Sequence, residues 1–107
     1  MATDITNAIQ SCPNSKVVTS GYSQGAQLVH NSAKELSVNT ASKISSAVVF
    51  GDPDNGDAVA GVSADRTLVI CHTGDDICAH GSQITSQHLN YVGADTDRAA
   101  QFIISHL

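Results

Sequence analysis

Between positions 17 and 26 the chain reads Val-Val-Thr-Ser-Gly-Tyr-Ser-Gln-Gly-Ala, and this stretch limits what the rest can become. A β-branched run passes straight into Gly-x-Ser-x-Gly, and a helical pattern starts at once. A strand must therefore end, the backbone turn sharply, and a helix leave. Glycine is expected at both Gly21 and Gly25, because a Cβ at either would collide with the adjacent strand or helix. The turn lifts the Ser23 hydroxyl above the carboxyl end of a sheet, beside the positive end of the new helix. The pentapeptide alone also recurs in glycine-rich turns with a solvent-facing serine. Its strand–turn–helix setting is what makes Ser23 a candidate nucleophile.

The remaining pattern supplies a sheet for that turn. Residues 3–11 read as a short helix with Ile5, Ala8, Ile9 and Cys12 on one face, capped by Thr3 or Asp4 and stopped by Pro13. A strand is expected over 16–20. The helix after Ser23 carries Ala26, Val29, Ala33 and Leu36 at helical spacing with Leu28 beside them, and His30 on it is expected to be exposed or partly packed, without a chemical role. Residues 37–46 are polar and read as a loop with a short helical turn. Ala47-Val48-Val49-Phe50 is a continuous apolar run ending at Gly51, as in a strand buried on both faces. Asp52-Pro53-Asp54-Asn55-Gly56-Asp57 is an acidic turn; it lacks EF-hand spacing, so a solvated loop is expected rather than a calcium site. Thr67 to Cys71 is a third buried strand. The last helix is expected to begin near Asp95 to Asp97 and to pack through Ala99, Ala100, Ile103, Ile104 and Leu107. Three apolar strands separated by helical or long connections imply an α/β fold with a parallel sheet and right-handed crossovers. The 107 residues fit a single domain.

A formal charge of −5, with only five Lys and Arg, argues against nucleic acid or an anionic membrane surface as partner. No apolar run reaches the length of a bilayer span. Met1-Ala2-Thr3 leads directly into polar sequence, so a targeting segment is expected to have been removed or not included. In an oxidising compartment Cys71 and Cys78 could close a small disulfide loop, leaving Cys12 as an odd thiol. Zinc is the competing use of Cys71, His72, Cys78 and His80. Their spacing matches no standard zinc pattern, and adjacent Cys71 and His72 make joint ligation awkward, so no metal is expected.

A serine hydroxyl needs an imidazole to take its proton and a carboxylate to hold that imidazole's tautomer. Reactive groups in such a sheet come from loops at the carboxyl ends of strands. The loop after the third strand, His72-Thr73-Gly74-Asp75-Asp76-Ile77, offers Asp75 as the leading acid and Asp76 as its rival. The order Ser…Asp…His that accompanies this elbow leaves His80, His88 and His106 as bases. His106 falls on the terminal helix and His80 lies very near the acid, which favours His88, expected on a long flexible segment.

Three stretches, Gly21-Tyr22-Ser23-Gln24-Gly25-Ala26, Cys71-His72-Thr73-Gly74-Asp75-Asp76-Ile77-Cys78 and His88-Leu89-Asn90-Tyr91, together resemble the fungal cutinase family. Ser11-Cys12-Pro13 and Ala64-Asp65-Arg66-Thr67 are also similar. The resemblance covers essentially the whole chain but only the carboxyl-terminal half of a cutinase domain. It implies a partial α/β-hydrolase fold from which the N-terminal strands are missing. It implies a secreted serine esterase with Ser23 as nucleophile, Asp75 as orienting acid, His88 as general base and the Gln24 amide in the oxyanion hole, needing no cofactor. It further implies a Cys71–Cys78 disulfide that stiffens the Asp75 loop. The absent segment would supply two flanking strands, a second oxyanion donor from a serine and a partner for Cys12. Without it the nucleophile strand is expected to lie at an open sheet edge, inviting self-association, and catalysis to be weakened. The loop 81–87 has only Ile84 as a clearly apolar residue, where cutinases are usually apolar. Small soluble esters are therefore expected as readily as a cutin-type polyester. Acetylxylan esterases share the elbow but usually carry more cysteines, and a non-catalytic binding protein is the remaining alternative.

Overall fold

The computed structural model describes residues 1–107. Three strands, β1 (Val17–Tyr22), β2 (Ile44–Phe50) and β3 (Thr67–Ile70), form one parallel sheet in the order β1-β2-β3. β2 takes the middle because its run is apolar on both faces. Ala47 and Val49 enter one core, Val48 the other, and all three are fully buried. The first core sets Ile5 and Ile9 of α1 (Ala2–Ser11) and Ala26, Val29 and Ala33 of α2 (Gln24–Glu35) against the sheet. The second sets Tyr91 and Ala99 of α4 (Tyr91–Ser105) against Val48 and Ile70. Each fully buried valine among these contributes about 1.5–3 kcal/mol of transfer free energy. A single helical turn, α3 (Val38–Ala41), bridges α2 and β2, capped by the Ser37 side chain. Helices thus flank both faces of three parallel strands, the α/β architecture expected from the apolar runs.

The registers place Tyr22 beside Phe50 and Phe50 beside Ile70. The strands therefore finish level, and the segments leaving them, at Ser23, Gly51 and Cys71, emerge next to one another. The Ser23 amide donates to the Phe50 carbonyl and the Gly51 amide to that of Ile70, carrying the pairing one step past each strand. β1 has a strand neighbour on one side only.

Element boundaries differ from the sequence expectation where polar residues hide a pairing or apolar residues lack one. β1 runs to Tyr22 rather than Ser20, since Gly21 and Tyr22 still face Val49 and Phe50. β2 starts at Ile44, three residues before Ala47, because Ser46 is buried despite its hydroxyl. β3 ends at Ile70, one residue short of Cys71. α4 begins at Tyr91, ahead of Asp95; of its expected packing face Ala99 is buried and Ile103 partly packed, while Ala100, Ile104 and Leu107 face outward and Phe102 packs instead. Leu28 and Cys12 are likewise exposed, and α1 starts at Ala2 without a side-chain cap from Thr3 or Asp4.

Candidate active site

Ser23 sits between β1 and α2 with φ 57° and ψ −119°. A left-handed backbone is costly for a residue with a Cβ, and it persists here because strand and helix are both fixed by their cores. Gly21 makes the turn possible. A Cβ on it would lie 2.3 Å from the Gly25 carbonyl oxygen and 2.7 Å from the Ala26 amide, so strand and helix touch through backbone. Gly25 has open space where its Cβ would be, contrary to the expectation that both glycines are sterically required. The close approach is one-sided.

The Ser23 hydroxyl is 2.9 Å from Nε2 of His88, which is 65 positions away in the chain. Nδ1 of His88 lies 2.9 and 3.1 Å from the two carboxylate oxygens of Asp75. An ionised carboxylate only accepts, so Nδ1 carries the proton and Nε2 is left to accept from Ser23. His88 and Asp75 are both buried. The structure thus brings together the three residues singled out from the sequence. His88 rides on a 3-10 turn, Ser86–Leu89, rather than on a loose segment, and the Tyr22 hydroxyl donates to its carbonyl at 2.6 Å. The rivals are engaged elsewhere. Asp76 accepts from the Gln83 amide, His80 faces the Asn55 carbonyl, and His106 faces the carbonyls of Phe102 and Asp65.

Asp75 is held from several sides. Burial works to raise its pKa, but hydrogen bonds from Tyr91 and His88 and the Ile77 amide outweigh it and keep the carboxyl below the usual aspartate value. A disulfide joins Cys71 and Cys78 across this loop. Those two sulfurs are therefore not available for zinc. Gly51 closes the site from beneath: its φ is +56°, and a Cβ there would come within 2.9 Å of the His88 ring and 3.2 Å of Asp75. Gln24 opens α2, and the first amides of a helix lack intrahelical partners, so its N–H is free to meet an anion beside Ser23.

Two cavities border Ser23 and His88. One, of about 260 Å³, is lined by Tyr22, Phe50, Leu89, Tyr91 and Val92 with His88. The other, of about 530 Å³, is lined by Gln24, Gln27, Pro53, Ile77 and Ile84 with Ser23. Leu89 and Val92 are largely exposed, so apolar surface next to the histidine comes from the residues after it, while Ile84 lies in the cavity beside Ser23. Sequence reasoning weighed only the loop before His88 and missed these; the spacing of Leu89 and Val92 behind the histidine was the available signal.

His30 departs from expectation. It is buried, with Nε2 donating to Asp52 Oδ2 at 2.6 Å, and Asp52 is fully buried at the head of the supposedly solvated acidic turn. Burying the pair is tolerable because each member partners the other, and Asp52 also accepts from the Asp54 amide. His30, Asp52 and Asp54 form the one three-residue group that could hold a metal ion. Two ligands on a tetrahedral ion stand about 3.3 Å apart, so the 2.6 Å contact reads as a hydrogen bond instead.

A cutinase family profile matches residues 1–107. The cutinase of Botryotinia fuckeliana is 63% identical over 103 residues, which cover 96% of this chain and 50% of that protein. The cutinase of Hypocrea jecorina is 51% identical over 104 residues, covering 97% and 42%. Among solved structures, the Trichoderma reesei cutinase in complex with a C11Y4 phosphonate inhibitor superposes with a TM-score of 0.94 at 50% identity, covering 98% of this chain and 48% of that one. The chain spans about half the length of the curated relatives it matches.

Proposed function

Because the chain belongs to the cutinase family, we propose that it takes part in carboxylic ester hydrolysis by two-step acyl transfer, with Ser23 as nucleophile, His88 as general base and acid, and Asp75 as orienting carboxylate. The observation that carries this reading is the continuous contact from Ser23 Oγ through His88 to Asp75, at 2.9 Å for each step. His88 takes the hydroxyl proton as Ser23 attacks the ester carbonyl, then returns it to the departing alcohol. Water hydrolyses the acyl-enzyme by the same route. The tetrahedral oxyanion rests on the Gln24 amide.

Apolar walls beside the imidazole suit an acyl or alkyl chain, so small acyl esters and cutin-type polyesters are the substrate class. Removal of one oxyanion donor costs roughly 2.7–4 kcal/mol of transition-state stabilisation in serine hydrolases. The Gln24 amide contributes stabilisation of that order to the transition state. The Cys71–Cys78 bond suits an oxidising, extracellular setting. The open edge of β1 is where a second copy of the chain would pair.

A fluorophosphonate probe tests the reading without requiring efficient turnover. Covalent labelling at Ser23, lost in Ser23→Ala and His88→Ala and accompanied by short-chain ester hydrolysis, is the expected result. A folded sample that remains unlabelled overturns it.

A further inference from the structure

Asp75 has one partner that the acyl-transfer scheme does not use. Tyr91, buried in the first turn of α4, donates its phenol proton to Asp75 Oδ2 at 2.5 Å. The direction of that bond is fixed by a second one. The His72 backbone amide donates to the same phenol oxygen at 2.9 Å, so the hydroxyl proton points to the carboxylate. The Tyr91 ring is itself clamped. It stacks on the His72 imidazole with centroids 3.9 Å apart, and that imidazole bonds the Gln87 carbonyl through Nδ1 and the Asp95 carboxylate through Nε2. Edge contacts to Phe50 and His88 complete the cage.

We propose that Tyr91 is a positioning residue for the reaction, fixing Asp75 and moderating its pull on His88 through the hydrogen bond to Oδ2. The inference rests on the acyl-transfer reading. Oδ2 is also the oxygen nearer to His88 Nδ1, at 2.9 Å against 3.1 Å for Oδ1. The phenol and the imidazole therefore compete for one oxygen, while Oδ1 is shared with the Ile77 amide at 3.0 Å. A donor on Oδ2 withdraws negative charge, so the carboxylate stabilises an imidazolium less than a bare one would. It also stops the carboxylate from rotating away between proton transfers. Tyr91 follows His88 by three residues, and its hydroxyl touches both the exit of β3 and the acid loop. One side chain thereby ties together the segments carrying base and acid. The ionisable groups packed around it are Asp75, His72, Asp95, His88 and Tyr22.

The test is Tyr91→Phe, which keeps the ring and its stacking, compared with wild type by the rate of fluorophosphonate labelling against pH. Two changes are expected together. The plateau rate falls about tenfold, because the freed carboxylate spends part of its time turned away from His88 and this loss of orientation outweighs its stronger pull. The acidic limb moves to higher pH, because a carboxylate no longer shared with the phenol attracts an imidazolium more strongly. Site-specific fluorotyrosine at position 91, a stronger donor with the same shape, should move the limb the other way. A variant that only loosened the fold would lower the rate and leave the limb in place, and that outcome overturns the proposal. The downfield NMR resonance of the His88 Nδ1 proton is the independent readout and should shift in Tyr91→Phe. An unlabelled wild type removes the esterase reading, whereas an unchanged proton resonance removes the role of Tyr91.

Discussion

The Tyr22 hydroxyl donates to the backbone carbonyl of His88 at 2.6 Å, while its ring stacks on the imidazole with centroids 5.1 Å apart. The residue beside the candidate nucleophile thus holds the candidate base by both backbone and ring. Tyr22→Phe keeps the stacking and removes the bond. It should slow Ser23 labelling about tenfold and leave the fold intact by circular dichroism. An unaltered rate would mean that the turn at Ser86–Leu89 fixes His88 unaided.

Gly21→Ala and Gly51→Ala should fail differently. At position 21 the new methyl meets backbone at 2.3 Å, which nothing can relieve without parting β1 from α2. A loss of about 3 kcal/mol or more in urea titration is expected. At position 51 the positive φ costs about 1–2 kcal/mol, and the methyl displaces the His88 ring. Labelling there should fall by about a hundredfold, the effect of a misplacement near 1 Å. Gly25→Ala, facing open space, should be tolerated.

Reduction of the Cys71–Cys78 bond frees an interval of seven positions around Asp75. The loss of chain constraint is about 2 kcal/mol, seen as a lower urea midpoint with dithiothreitol than without. Labelling should slow further than stability alone explains, since the acid loop loses its clamp.

Two side chains set opposite pH limits. The Asp95 carboxylate beside His72, with help from the Gln87 carbonyl, raises the His72 pKa against the effect of burial. A raised folded value means that this stabilisation is complete below the unfolded pKa near 6.5 and disappears as pH climbs through the folded one. Asp75 is depressed. Its contribution is present above the unfolded value near 3.9 and disappears as pH falls through the folded one. Melting temperature should therefore decline on both sides, and His72→Gln should flatten the alkaline side only. A decline of the same size in His72→Gln would reject the assignment.

His30→Ala or Asp52→Ala should each cost about 3–5 kcal/mol, because either takes the side-chain partner from a buried polar group. The double variant His30→Leu/Asp52→Leu should recover much of that loss, short of the bond from the Asp54 amide. Thermal unfolding of the four proteins measures the coupling.

How far the sequence disclosed this architecture depended on whether a residue's role was local. The elbow was legible because glycine, serine and a change of hydrophobic period all lie within ten positions. The core of β2 was legible because Ala47 to Phe50 are apolar without interruption, whereas Thr67 to Cys71 read as an equally buried strand and β3 is only half-buried except at Ile70. His30 and Asp52 misled, since each reads as a surface residue and only tertiary proximity makes them partners. Tyr91 was hidden in the same way: nothing in His-Leu-Asn-Tyr tells that its phenol turns toward an aspartate sixteen positions earlier. Ser46 concealed the true start of β2, because a buried serine looks in sequence like part of a loop.

The left-handed backbone at Ser23 carries a constraint on what chemistry this position could ever adopt. Cysteine differs from serine by one atom and fits the same dihedral, so a thiolate nucleophile is sterically open. Threonine is not, since a second substituent on Cβ crowds a conformation already costly for branched side chains. Substitution histories at this turn should therefore wander between oxygen and sulfur and never through a methylated alcohol.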